Sequence, residues 1–146
     1  MCRCSLRDAS RARYRDALTM RIELVVLSHA KLRDVGCFML GQVGKDRPFE
    51  VQSVPLLVEG LASDESIAVQ AQCAAALGHL KADEAVSNLI QAARSESADI
   101  CASVAAAIGH LTPSHEMREL LSTLLADDDN EVREWAEVSK EIYSEK

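Results

Sequence analysis

Two histidines, His79 and His110, each follow a Leu/Ile-Gly pair in nearly identical stretches, AAALGHL (74–80) and AAAIGHL (105–111). Gln42 follows the Leu-Gly of CFMLGQV (37–43) in the same way. Imidazoles in register are the raw material of a metal site. No acid or cysteine stands at the matching positions, so no metal is assigned and the three read as ordinary surface or as a polar row on a binding face. His115-Glu116 has ligand types but occurs once, where an acid suits the first turn of a helix. Cys2 and Cys4 form C-x-C with no second pair at zinc spacing, and Cys37 and Cys73 lie in apolar runs as small core residues. There is no Ser-His-Asp set, phosphate loop or carboxylate pair suited to catalysis. Trp135, the single tryptophan, is a contact anchor or a lid on the last core layer.

The elements that hold these residues repeat. An aliphatic residue stands nine before each glycine: Leu32 before Gly41, Val69 before Gly78, Ile100 before Gly109. A fourth copy starts at Val132 in NEVREWAEVSKEIY, with Glu141 in place of the glycine. The starts are 37, 31 and 32 residues apart, a period that indicates stacked helix pairs. Apolar spacing places the pairs near 13–27 and 31–44, 51–62 and 67–80, 83–93 and 98–111, and 114–126 and 129–143. Asp83 reads as an N-cap, Asp128 and Glu131 as a capping box, and Pro113 as a first-turn proline. The recurring alanines allow close helix approach, which places Ala76 and Ala107 between units.

Composition agrees. The 146 residues are 48% hydrophobic with only five aromatics, so the core is aliphatic and alanine-rich. Residues 1–21 hold six Arg against two Asp, a net of +4. The remainder holds 10 basic and 21 acidic residues, a net of −11, which repels a phosphate backbone and excludes nucleic acid as partner. No run of 18 apolar residues exists and the start lacks an apolar signal core, so the expectation is a cytoplasmic protein with reduced thiols and no membrane contact. Residues 1–19 read as a basic arm and 20–146 as one domain.

IAVQAQCAAALGHL (67–80), DICASVAAAIGHL (99–111) and ADDDNEVREWA (126–136) resemble HEAT repeats of the short bacterial kind, also called PBS-lyase-like. The resemblance covers about residues 20–143. It implies an all-α, right-handed α-α superhelix (solenoid) of about four helix pairs, with the second helices lining a concave face. Arg33 and Arg133 match the Arg after the aliphatic start, but Gln70 and Cys101 replace it, which interrupts an Asp–Arg ladder. Counting two, three, six and ten residues from each start, Ala71, Gln72, Ala75, His79, Ala102, Ser103, Ala106 and His110 face that side. Phe38, Gln42, Glu134 and Trp135 flank them. The expected function is a non-enzymatic protein-interaction module that takes a helix or peptide in this face, without cofactor, and homodimerisation is compatible with it. The alternative is an accessory factor or enzyme of the bilin lyase-like group. Nothing in the sequence marks a chromophore pocket, and the acidic body opposes a HEAT-like DNA glycosylase.

Overall fold

The computed structural model describes residues 19–20, 22–24, 27–42 and 50–145. The basic arm apart from Thr19, Cys2, Cys4, most of the helix expected at 13–27 and residues 45–49 lie outside the described residues. Among the described residues seven α-helices follow Ser28: α1 (Ala30–Gly41), α2 (Glu50–Ser63), α3 (Ile67–His79), α4 (Val86–Ala92), α5 (Ala98–Ile108), α6 (His115–Leu124) and α7 (Asn130–Ser144). A 3₁₀ turn, Asp83–Ala85, leads into α4. The described residues contain no strand.

The helices form two layers. The second helices of the repeats, α1, α3, α5 and α7, pack against one another in chain order, and α2, α4 and α6 cover one side of them. The core between the layers is aliphatic: Leu40, Leu57, Leu77, Leu89, Ile108, Leu111, Met117 and Leu124 are fully buried. Each such side chain contributes about 1.5–3 kcal/mol by leaving water.

Small residues set the spacing of the second helices. A Cβ added at Gly41 would lie 2.9 Å from both Cα and Cβ of Ala76. One added at Gly78 would lie 2.6 Å from Ala107 Cα and 2.7 Å from its Cβ. At the next interface the place of the alanine is taken by Ser139, 2.9 Å by its Oγ from a Cβ at Gly109. Ser139 is buried, and its hydroxyl donates to Ala105 O at 2.5 Å and accepts from Gly109 N at 3.1 Å. Contacts advance in the same direction along both partners, Cys37 with Cys73 and then Gly41 against Ala76, so α1 and α3 run parallel. This is the solenoid expected from the repeated glycines.

A second device repeats in the loops. The residue after each aliphatic start bonds a carbonyl six residues earlier: Arg33 Nη1 to Leu27 O (3.0 Å), Gln70 Nε2 to Asp64 O (2.6 Å), Cys101 Sγ to Ser95 O (3.4 Å) and Arg133 Nη1 to Asp127 O (2.5 Å). The acceptor is constant while the donor changes, so the loss of Arg at Gln70 and Cys101 leaves the loop tied. Asp64, Ser95 and Asp127 each accept from the backbone N–H two residues on, closing the same tight turn three times.

Two expected caps move. Asp129, not Asp128, caps α7, accepting from the N–H groups of Glu131 (2.8 Å) and Val132 (3.3 Å). The neighbouring Asp127 is consumed by the turn, which pushes the cap along. Asp83 does not cap α4. Its carboxylate crosses to the next repeat, accepting from Thr112 N (2.9 Å) and Oγ1 (2.6 Å). Ser114 caps α6 by accepting from Met117 N, with Pro113 just ahead of it.

Replacement of Ala76 by Leu is expected to overpack the α1–α3 interface, because Ala76 is fully buried against Gly41. Urea unfolding should show a loss of about 1–3 kcal/mol. An unchanged midpoint would place Ala76 outside the interface.

Candidate functional site

Spacing the second helices by alanine and glycine leaves a face of short side chains. On it lies a groove of about 440 Å³ running from α3 across α5 to α7. Its floor is Ala71, Ala75, Ala102 and Ala106, and its far wall is Trp135, Val138 and Ile142. Asp99 and Glu131 stand at the edge formed by the starts of α5 and α7, and Ser103 lies between them and the floor. Trp135 and Val138 are each 44% exposed, so two large apolar groups remain in water beside the groove.

His79 and His110 line the groove at its other edge. Their ring centroids are 5.4 Å apart in an edge-to-face arrangement at 69°. Gln42 Nε2 lies 3.3 Å from His79 Nδ1, so the three residues that share one repeat position form a continuous polar row over three helices. Among the described residues no three His, Cys, Asp or Glu side chains converge as metal ligands.

The other candidates are distributed around this groove. Glu134 lines a neighbouring depression shared with Trp135 and Val138. Gln72 is half-buried on α3 and does not line the groove. Phe38, 51% exposed on α1, stands beyond the groove toward the first repeat. Ala102 is only 4% exposed, less open than its position in the count implied, because α5 is enclosed on both sides by α3 and α7. Sequence reading missed Val35, Val138 and Ile142. They stand three, six and ten residues after Leu32 and Val132, so the same count applied fully to the outer repeats locates them. Val35 is exposed, as are Leu32 and Phe38, which extends the apolar surface along α1.

Away from the groove, Arg33 clamps the first two repeats together. Its Nε and Nη2 donate to the two carboxylate oxygens of Asp64 at 2.7 and 2.8 Å. The Arg33 guanidinium holds the Asp64 carboxyl below its ordinary value, aided by the Ser66 N–H, while burial opposes. This is the one inter-repeat rung of the anticipated Asp–Arg ladder that the described residues form among their ion pairs.

The model described as HEAT repeats matches residues 54–139. The X-ray structure of YibA of Escherichia coli is similar, with a TM-score of 0.76 and 25% sequence identity. The match covers 90% of this chain and 49% of that one, so the chain spans about half of YibA's length. No curated protein matches. No helix among the described residues is long and apolar enough to cross a membrane.

A depressed folded-state pKa at Asp64 contributes stability above the unfolded value near 4, and the contribution is lost as pH falls through the folded value. Asp64→Asn is therefore expected to be less stable than the parent at pH 7, with the difference shrinking as the pH drops below about 4. Thermal melts of both proteins across that range check it. A constant difference would remove the ion pair as its cause.

Proposed function

The chain belongs to the HEAT-repeat family, and from that premise we propose that its groove receives an amphipathic helix or extended peptide of another protein. HEAT repeats generally mediate protein interaction. The observation that carries the finer reading is the exposure of Trp135 and Val138 beside an alanine floor. An apolar ridge on the partner lies along Ala71, Ala75 and Ala106, where the short side chains let a backbone approach. Trp135 packs against one end of it, as a ring with large apolar area and a single donor does at interface centres. The row Gln42–His79–His110 offers hydrogen bonds along one side. Asp99 and Glu131 line the other, which selects a partner with Lys or Arg flanking its apolar ridge. Phe38 and Val35 extend the contact to a longer ligand. The role is binding, without catalysis, and the acidic body disfavours nucleic acid as occupant.

The test is affinity capture from the source cell with the parent chain and three variants, followed by titration of the captured partner into purified protein. Trp135 is the only tryptophan, so its emission reports groove occupancy directly. Ala106→Arg and Trp135→Arg should each weaken capture by at least about 10-fold with helicity retained. Asn88→Arg, in the depression between α2 and α4, should leave capture and the Trp135 response unchanged. Capture lost with Asn88→Arg but kept with both groove variants would overturn the reading, as would a partner that binds without altering Trp135 emission.

A further inference from the structure

Two thiols meet at the first of the described interfaces and have no part in the groove. Cys37 on α1 and Cys73 on α3 are both fully buried, with their sulfurs 3.3 Å apart. The equivalent positions at the later interfaces carry Ala74 with Val104 and Ala105 with Ala136, so the pair is confined to the junction of α1 and α3. Gly60 on α2 leaves the space in which the Cys73 sulfur sits: a Cβ there would be 2.8 Å from it. A pocket of about 460 Å³, lined also by Arg33, Gly60 and Asp64, opens beside Cys37, whose side chain is itself closed off from water. A disulfide needs its sulfurs about 2.0 Å apart, so closure requires an approach of about 1.3 Å.

We propose that Cys37 and Cys73 are a redox pair, in which peroxide that penetrates from the pocket to the buried Cys37 sulfur oxidises it and Cys73 resolves it to a disulfide joining α1 to α3. The two sulfurs are unlike. The Cys73 thiol donates to the Cys37 sulfur, which favours the Cys37 thiolate, and Arg33 adds to this while burial and the carboxylates of Asp64 and Asp34 oppose. Cys73 holds its own proton more tightly, through that same hydrogen bond and then through burial. Cys37 is thus the attacking sulfur and Cys73 the resolving one. In the first step the Cys37 thiolate attacks one peroxide oxygen and the O–O bond breaks. The departing hydroxide takes up the proton that Cys37 lost, leaving water and a Cys37 sulfenic acid. In the second step the Cys73 sulfur attacks the sulfenic sulfur and the S–O bond breaks. The Cys73 proton leaves with the hydroxide as a second water. Two thiols lose two electrons, and one peroxide is reduced to two waters.

The bond locks the first described repeat onto the second across the junction already held by Arg33 and Asp64. Its expected consequence is a stiffer solenoid with a raised melting midpoint, reversed by dithiothreitol.

The experiment treats the full chain with equimolar hydrogen peroxide, alkylates remaining thiols under denaturing conditions, and maps peptides by mass spectrometry without reduction. The expected result is a linked Cys37–Cys73 peptide as the main oxidised species, two hydrogens lighter than the separate peptides and split by dithiothreitol. Cys73→Ser, which keeps a hydroxyl to donate to Cys37 but cannot form the disulfide, should instead leave Cys37 as a sulfenic acid that dimedone labels. Recovery of Cys37 and Cys73 both alkylated, under peroxide that oxidises Cys2 or Cys4, would overturn the proposal. So would a dominant link between either residue and another cysteine. If Cys73→Ser fails to fold, the map of the parent protein decides alone.

Discussion

The structure depends on one close approach, a glycine near the end of one second helix lying against a small residue of the next. Gly41 meets Ala76, Gly78 meets Ala107 and Gly109 meets Ser139. A glycine inside a helix costs about 1 kcal/mol relative to alanine. Here a side chain at the glycine would collide with neighbouring backbone, and the local cost is accepted at Gly41 and Gly78, while Gly109 caps the end of α5 with a hydroxyl as neighbour. Helices held this close cannot carry large residues on the faces between them. The alanines Ala74, Ala76, Ala105 and Ala107 are the result, and each is buried.

The same constraint shapes the outer face. Because the second helices crowd together, their groove-facing positions are short in the centre apart from His79 and His110 at the edge, and the large apolar groups stand on the flanking helices: Phe38 and Val35 on α1, Trp135, Val138 and Ile142 on α7. The groove is therefore a by-product of the packing rule that builds the stack. The loop carbonyls work independently of it. Arg33, Gln70, Cys101 and Arg133 each reach the carbonyl six residues back, so the entry into every second helix is tied by whichever donor is present. Of the four, Arg33 both ties its loop and grips Asp64 of the following repeat, whereas Arg133, as long and as charged, bonds Asn130 within its own repeat. Its junction also contains the Cys37–Cys73 pair.

Much of this was legible because the repeat writes tertiary contacts into sequence. The spacing of Gly41, Gly78 and Gly109 from their aliphatic starts located the second helices, and the alanine runs located the faces that touch. The row of Gln42, His79 and His110 was visible as one repeated position, and the structure brings the three together. Caps were less legible. Asp127, Asp128 and Asp129 are chemically alike, and which one caps depends on the turn that Asp127 closes. Asp83 was misplaced because its partner, Thr112, lies 29 residues away in the next repeat. The thiol pair was hidden for a related reason: Cys37 and Cys73 stand five and four residues after their starts. Parallel neighbours meet at unlike offsets, which a count in register does not compare.

Stability of Gly78→Ala by equilibrium urea unfolding tests the central claim most directly. Gly78 is helical without a positive φ, so by propensity alone the added methyl should stabilise the helix by about 1 kcal/mol. The close approach to Ala107 predicts the opposite sign: a Cβ at 2.6 Å from the Ala107 Cα forces α3 and α5 apart and lowers stability by about 1–3 kcal/mol. A more stable Gly78→Ala protein would show that the second helices do not meet through their small residues, and would contradict the account.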